Sequence, residues 1–163
     1  MIKMKETQLK SKPRFIADCH FGKLAKYLRL MGFDTLFFPQ IDDNDLIDLA
    51  NSEGRIILTR DKELFQRQKA DCTLVDAVKI DKQLQELSTV FELVKYQRPF
   101  SLCIVCNEPL HVVDKESILH RLPPKVIRYF SYFEICDKCQ RIYWQGDHYK
   151  KMKASLEKML QGV

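Results

Sequence analysis

Ile56-Ile57-Leu58-Thr59-Arg60-Asp61 is a short, continuous apolar run that closes on an acid. A run of this kind, without polar alternation, reads as a strand buried on both faces, which is the condition of a parallel sheet covered by helices. Phe15-Ile16-Ala17 ends on Asp18 in the same way, and Asp43 opens the helical stretch Asn44-Asp45-Leu46-Ile47-Asp48-Leu49-Ala50. In an open parallel sheet ligands bind outside the carboxyl ends of the strands. Carboxylates at two strand ends and one helix start can therefore converge on a single point. Converging carboxylates repel, so such a cluster implies a bound cation, and hard oxygen ligands suit Mg²⁺ or Mn²⁺.

Working outward, the pattern alternates. Phe21, Leu24, Ala25, Leu28 and Met31 mark one helical face, Lys23, Lys26 and Arg29 the other, and Gly32 stands where a helix would stop. Thr35–Phe38 reads as a strand ended by Pro39, and the helix from Asp43 runs to Glu53-Gly54. A short helix (Lys62–Gln68), a strand (Cys72–Val75) and a longer helix showing Ile80, Leu84, Leu87, Phe91 and Val94 on one face follow. Strands alternating with helices over short connections predict an α/β fold with a parallel sheet and helices on both faces. The character changes at Arg98-Pro99, beyond which come paired cysteines, strand-like runs at Tyr129–Ile135 and Arg141–Trp144, and prolines at 123 and 124. The expected organisation is a flexible basic arm (1–13), an α/β domain (14–97) and a small C-terminal module (98–163) that includes a tail helix, Asp147–Leu160. Tyr149, Met152, Leu156, Met159 and Leu160 lie on one face of that helix.

The chain has 163 residues, enough for one domain of usual size or a core with a small appendage. Its 45% hydrophobic and 30% charged content is that of a soluble globular protein, and its apolar runs are far too short to span a membrane. The amino terminus lacks the apolar stretch of a secretory signal, so the expected compartment is the cytoplasm. The net charge of +5 is compatible with a polyanionic partner and equally with a solvated surface.

Six cysteines in a cytoplasmic protein point to metal or buried thiols before disulfides. Cys103-x-x-Cys106 and Cys136-x-x-Cys139, separated by 29 residues, present four thiolates suited to one tetrahedral Zn²⁺ in a closed, structural site. The long spacer must form its own excursion. Cys19 and Cys72 fall outside this pattern and are expected to be small buried residues. His20, His111, His120 and His148 show no ligand-like spacing with one another, and Trp144 is expected to pack the small module. The acids have a competing reading: Asp43, with Asp42 and Asp45, and Asp61 before Lys62-Glu63-Leu64 are also good helix caps. What favours a metal site is that Asp18 and Asp61 both follow core strands, a coincidence that caps do not require.

The chain resembles the Mut-seven C-terminal ribonuclease family of PIN-like nucleases. Asp18-x3-Gly22-Lys23-Leu24-Ala25-Lys26-Tyr27-Leu28-Arg29-x2-Gly32-x-Asp34 carries the likeness, with Asp43-x2-Leu46-x3-Ala50 and Glu53-x-Arg55-Ile56-x-Leu58-Thr59-Arg60-Asp61. Cys103-x2-Cys106-Asn107-x2-Leu110 and Cys136-x2-Cys139-x3-Tyr143-Trp144-x-Gly146-x-His148-x3-Met152 extend it. The likeness runs from about residue 14 to 155 in one consistent order. It implies a PIN-like α/β fold with an appended zinc ribbon, metal-dependent RNA cleavage, and acidic positions at Asp18, Asp43 and Asp61. A fourth acid is common among PIN nucleases, and Glu63 and Asp76 are the candidates here.

The expected function is thus a ribonuclease holding Mg²⁺ or Mn²⁺ on Asp18, Asp43 and Asp61, with structural zinc on Cys103, Cys106, Cys136 and Cys139. Lys23, Lys26, Arg29, Arg60 and Lys62 are the expected RNA phosphate contacts, which position a strand without reading its bases. The alternative is a non-catalytic zinc-ribbon RNA-binding or ribosome-associated module. A receiver domain also sets acids at strand ends. That fold usually has adjacent acids after its first strand, whereas Cys19 follows Asp18 here, and it needs a fifth strand ending in a lysine where the cysteine segment begins.

Overall fold

The structure is a computed structural model that describes residues 11–161; most of the expected basic arm lies outside the described residues. Strands β1 (Phe15–Ala17), β2 (Thr35–Phe37), β3 (Ile56–Thr59) and β4 (Cys72–Leu74) form one parallel sheet in the order β2-β1-β3-β4. Phe15 lies opposite Thr35 and Ile56, and Ala17 opposite Phe37 and Leu58. The period of two then sorts the side chains between two cores. Phe15, Ala17 and Leu58 pack with α1 (Gly22–Leu30) and α4 (Ile80–Phe91), while Ile16 and Ile57 pack with α2 (Asp43–Glu53) and α3 (Lys62–Gln66). Both faces are covered, which is why the strand sequences show no polar alternation.

Two elements depart from the expected pattern for identifiable reasons. The helix expected to carry Val94 breaks at Glu92, which adopts φ 49° and ψ 43°, before α5 (Leu93–Tyr96). The break shifts the phase, so Leu93 is buried and Val94 is 45% exposed. Tyr129, expected to begin a strand, ends α7 (Pro124–Tyr129), because a proline in the first turn is preorganised for helix and gives up no needed N–H.

Beyond residue 98 a second sheet forms from β5 (Leu110–Val112), β6 (Glu134–Cys136) and β7 (Ile142–Tyr143), all antiparallel. The spacer between the cysteine pairs holds α6 (Lys115–Ile118), a 3₁₀ turn and α7. They build a separate small core from Ile118, Leu122, Val126 and Phe133, with Trp144 packed against it. The tail helix α8 (Asp147–Met159) does not join that core. It returns to the α/β layer, where Leu156 is buried in the same cluster as Leu84 and Leu87 and Gln85 donates to the Met159 carbonyl at 3.0 Å.

A polar clamp joins the two parts at the amino ends of the strands. Asn107 donates to Asp34 at 2.6 Å and accepts the Thr35 N–H at 2.8 Å; Asp34 also receives both terminal nitrogens of Arg55, at 2.7 and 3.0 Å, and Arg14 at 3.0 Å. Arg29, expected to face phosphates, is instead 8% exposed and donates to the Thr35, Ile104 and Val105 carbonyls at 2.8, 3.2 and 3.0 Å. Its charge holds the first cysteine knuckle, so it is removed from the set of phosphate contacts. Gly32, at φ 85°, lies where any Cβ would strike the Arg98 carbonyl. No helix among the described residues is long and apolar enough to cross a membrane.

Candidate active site

Because the strands are parallel, residues that follow β1, β3 and β4 emerge at one edge, opposite the clamp. Asp18 is 6% exposed, and its N–H donates to the Leu58 carbonyl at 3.0 Å, extending the β1–β3 ladder by one residue. Thr59, fully buried, sits between the two strand-end acids. Its hydroxyl donates to Asp18 Oδ2 and accepts the Asp61 N–H at 3.0 Å. Asp61 caps α3, accepting the Glu63 and Leu64 N–H groups at 2.8 and 3.2 Å, both on Oδ1. The cap reading of Asp61 is therefore correct as local structure, and the cap fixes the direction of its carboxylate at the edge that also carries Asp18.

Asp43 is not itself the cap of α2; Asp42 is, accepting the Asn44 N–H at 2.8 Å. Asp43 stands in the first turn and pairs with Arg67 at 3.1 Å. Asp18, Asp43 and Asp61 do not all fall within 4.8 Å of one another among the described residues. Glu63 is exposed in the first turn of α3, and Asp76 is exposed just past β4. Thr59 is a site residue that the strand pattern hides. Its one signal in the sequence is a hydroxyl inside an otherwise apolar run, two residues before an acid.

A groove of about 470 Å³ adjoins this edge, lined by His20, Phe21, Lys23, Arg60, Lys79 and Gln83 among others. Arg60 donates to the Ala77 carbonyl at 3.2 Å and lies 5.3 Å from the centre of the Phe21 ring, which holds its charge at the rim. Lys23 and Lys26 are exposed on α1, and Lys62 at the start of α3. Cys19, expected to be buried, is exposed, because the chain turns outward after β1. Cys72 is half-buried, and burial together with the Asp18 charge pushes its thiol up to about 12, so it stays neutral and unreactive.

The cysteine pairs form two matching knuckles. Asn107 N–H reaches the Cys103 carbonyl and Gln140 N–H the Cys136 carbonyl, each at 2.8 Å, and Asn107 and Gln140 share left-handed φ values of 64° and 59°. The four sulfurs lie within 4.8 Å of one another, with Cys103 and Cys139 3.7 Å apart. Tetrahedral Zn–S bonds of ~2.3 Å require sulfurs about 3.8 Å apart, so the thiols fit zinc. Burial raises the Cys103 thiol, but the Tyr143 hydroxyl at 3.1 Å and the Cys106 and Val105 N–H groups outweigh it and bring it down to about 7.

The family model described as the Mut7-C RNAse domain matches residues 13–156. The chain belongs to the Mut7-C RNase domain family. No curated protein and no solved structure gives a significant match. The Mut7-C match runs from β1 through both cysteine knuckles into α8, so it takes in the acid edge, the clamp and the zinc-compatible cluster together.

Proposed function

We propose that this protein is a metal-dependent ribonuclease that hydrolyses RNA phosphodiester bonds at the edge carrying Asp18 and Asp61. The observation that carries the reading is the buried Thr59 hydroxyl, which ties the Asp18 carboxylate to the Asp61 backbone N–H at one sheet edge, in a chain of an RNase family. Hard carboxylate oxygens, Asp18 held by Thr59 and Asp61 by its cap of α3, suit Mg²⁺ or Mn²⁺. Asp18 and Asp61 would supply the central ligands, Asp43 a third on release or rotation of its Arg67 pair, and Glu63 or Asp76 a fourth. When bound, the cation lowers the pKa of a water and offsets charge gathering on the phosphate. Thr59 keeps the Asp18 carboxylate turned toward the edge. Lys23 and Arg60 at the groove, with Lys26 exposed on α1 and Lys62 at the start of α3, hold the strand's phosphates without selecting bases. The ribbon cysteines, a closed set, take no part in the chemistry.

The test is purified protein incubated with mixed RNAs in Mn²⁺, Mg²⁺ or EDTA. Cleavage is expected with either cation and none in EDTA. Asp61→Asn is expected to abolish cleavage while keeping or strengthening binding, since it removes a ligand and one negative charge. Lys23→Ala with Lys26→Ala is expected instead to weaken binding and to flatten its salt dependence. On a single strand the slope should fall by ~0.7 for each phosphate no longer neutralised. Binding that persists in Asp61→Asn, with no cleavage by the wild type in any cation, would establish the binding-module reading in place of the enzyme.

A second outcome isolates Thr59. Thr59→Val keeps the shape but leaves Asp18 Oδ2 and the Asp61 N–H without their partner. A ~10–100-fold loss of activity is expected, with a higher Mn²⁺ concentration for half-saturation, as for other hydrogen-bond partners of ligating groups. An unchanged Mn²⁺ dependence would show that Thr59 only closes the fold.

A further inference from the structure

The residues just past β1 make a tight turn over their own acid. The Phe21 N–H donates to the Asp18 carbonyl at 3.0 Å, and the His20 N–H donates to Asp18 Oδ1 at 2.9 Å. That turn brings His20 Nδ1 to 3.3 Å from Asp18 Oδ1 and to 3.6 Å from Cys19 Sγ. One ligand atom from each of the three residues lies within 4.8 Å of the other two; among the described residues, the four ribbon cysteines make the other such group.

These separations have a simple geometric meaning. Bonds of about 2.05 Å to nitrogen or oxygen and about 2.3 Å to sulfur, at tetrahedral angles, place N and O about 3.3 Å apart and N and S about 3.6 Å apart. The two observed distances match two edges of that tetrahedron, and the third, from Asp18 to Cys19, lies within 4.8 Å. The acid is anchored: its other oxygen, Oδ2, takes the Thr59 hydroxyl. Access is one-sided, with the Asp18 side chain 9% exposed and that of His20 56% exposed, and Cys19 lies on the surface. Three ligands from the chain and a fourth direction facing water is the arrangement of zinc sites that bind a water or substrate, unlike the closed set in the ribbon.

We propose that Asp18, Cys19 and His20 bind a second Zn²⁺, with one coordination position open to solvent. Thiolate and imidazole ligands select a borderline-soft cation over Mg²⁺. The site shares Asp18 with the nuclease edge but goes beyond that reading, since it concerns which cation the chain captures when no RNA is present.

Co²⁺ serves as the probe, added to whole protein that already carries one equivalent of ribbon zinc by elemental analysis. One further equivalent is expected to bind, with the visible bands of tetrahedral Co²⁺ and a near-ultraviolet thiolate-to-cobalt charge-transfer band. Cys19→Ser is expected to lose the charge-transfer band, and His20→Ala to weaken binding at least about ten-fold. A second measurement needs no variant: Zn²⁺, unlike Mg²⁺, is expected to slow alkylation of Cys19 by iodoacetamide about ten-fold or more, followed by peptide mass. A cobalt spectrum that is the same in Cys19→Ser would overturn the proposal, as would Cys19 alkylation indifferent to Zn²⁺. Neither readout involves cleavage, so failure here leaves the nuclease reading standing, and loss of the nuclease reading leaves these measurements intact.

Discussion

Removal of metal from the zinc-compatible cysteine cluster is expected to unfold the second sheet and to weaken the first. Zinc bound by four thiolates contributes an apparent ~10–16 kcal/mol to the folding of small metal modules. The ribbon core of Ile118, Leu122, Val126 and Phe133 is too small to replace that. Trp144, the single tryptophan, packs on this core, so its emission reports the folding of the ribbon. Cys136→Ser, or chelation of the wild type, is expected to red-shift that emission to the value of exposed indole. The α/β layer should keep most of its helical circular dichroism but melt at a lower temperature. Its loss has two sources: Arg29 no longer has the Ile104 and Val105 carbonyls, and Asn107 no longer covers Asp34. Unchanged Trp144 emission in protein proved free of zinc would show that the four thiols need no metal.

The second large effect concerns the clamp. Asp34→Ala removes one partner of Arg55, whose side chain is 5% exposed and which holds two hydrogen bonds to that carboxylate. Arg55 keeps its pair with Glu53 at 2.6 Å and the lost carboxylate was 34% exposed, so a loss of about 1–2 kcal/mol is expected in urea unfolding, between an exposed pair and a buried one. A loss below about 0.5 kcal/mol would mean that the existing Glu53 pair and water satisfy Arg55 alone. The same carboxylate gives the wild type an acid dependence. Burial works to raise Asp34, but the hydrogen bonds from Arg55, Asn107 and Arg14 outweigh it and hold its pKa below the ordinary value of 3.8. A depressed folded pKa contributes stability that is present above the unfolded pKa. It is lost as pH falls through the folded value, so the contribution should fade below about pH 4 and be absent from Asp34→Ala.

The parallel sheet is legible because its strands are apolar throughout and its helices carry clear faces and glycine stops. The sheet order follows from the same pattern only once the register places Ala17 beside both Phe37 and Leu58. What escapes the sequence are features set by single backbone angles or distant partners. Nothing in Phe91-Glu92-Leu93 marks Glu92 as left-handed, and that one residue decides whether Leu93 or Val94 is buried. Arg29 has the spacing of an exposed cation on α1; only its meeting with residues 104 and 105, far along the chain, makes it a structural latch. His20 is solitary when compared only with other histidines, whereas its neighbours are the acid and the thiol immediately before it. Asp18 and Asp61 are readable from strand ends, but the atom joining them belongs to Thr59, a residue that sequence alone assigns to the strand.

The return of α8 to the first core has a consequence for biosynthesis. A ribosome adds ~5–20 residues per second. Once residue 97 has been made, several seconds pass before Leu156 exists to cover the face formed by Leu84 and Leu87. During that interval the nascent chain carries an uncovered apolar helix face, and both cysteine pairs are synthesised before it closes. In zinc-starved cells α8 can still reach Leu84 and Leu87, so the expected product is a closed but less stable α/β layer that lacks an ordered ribbon.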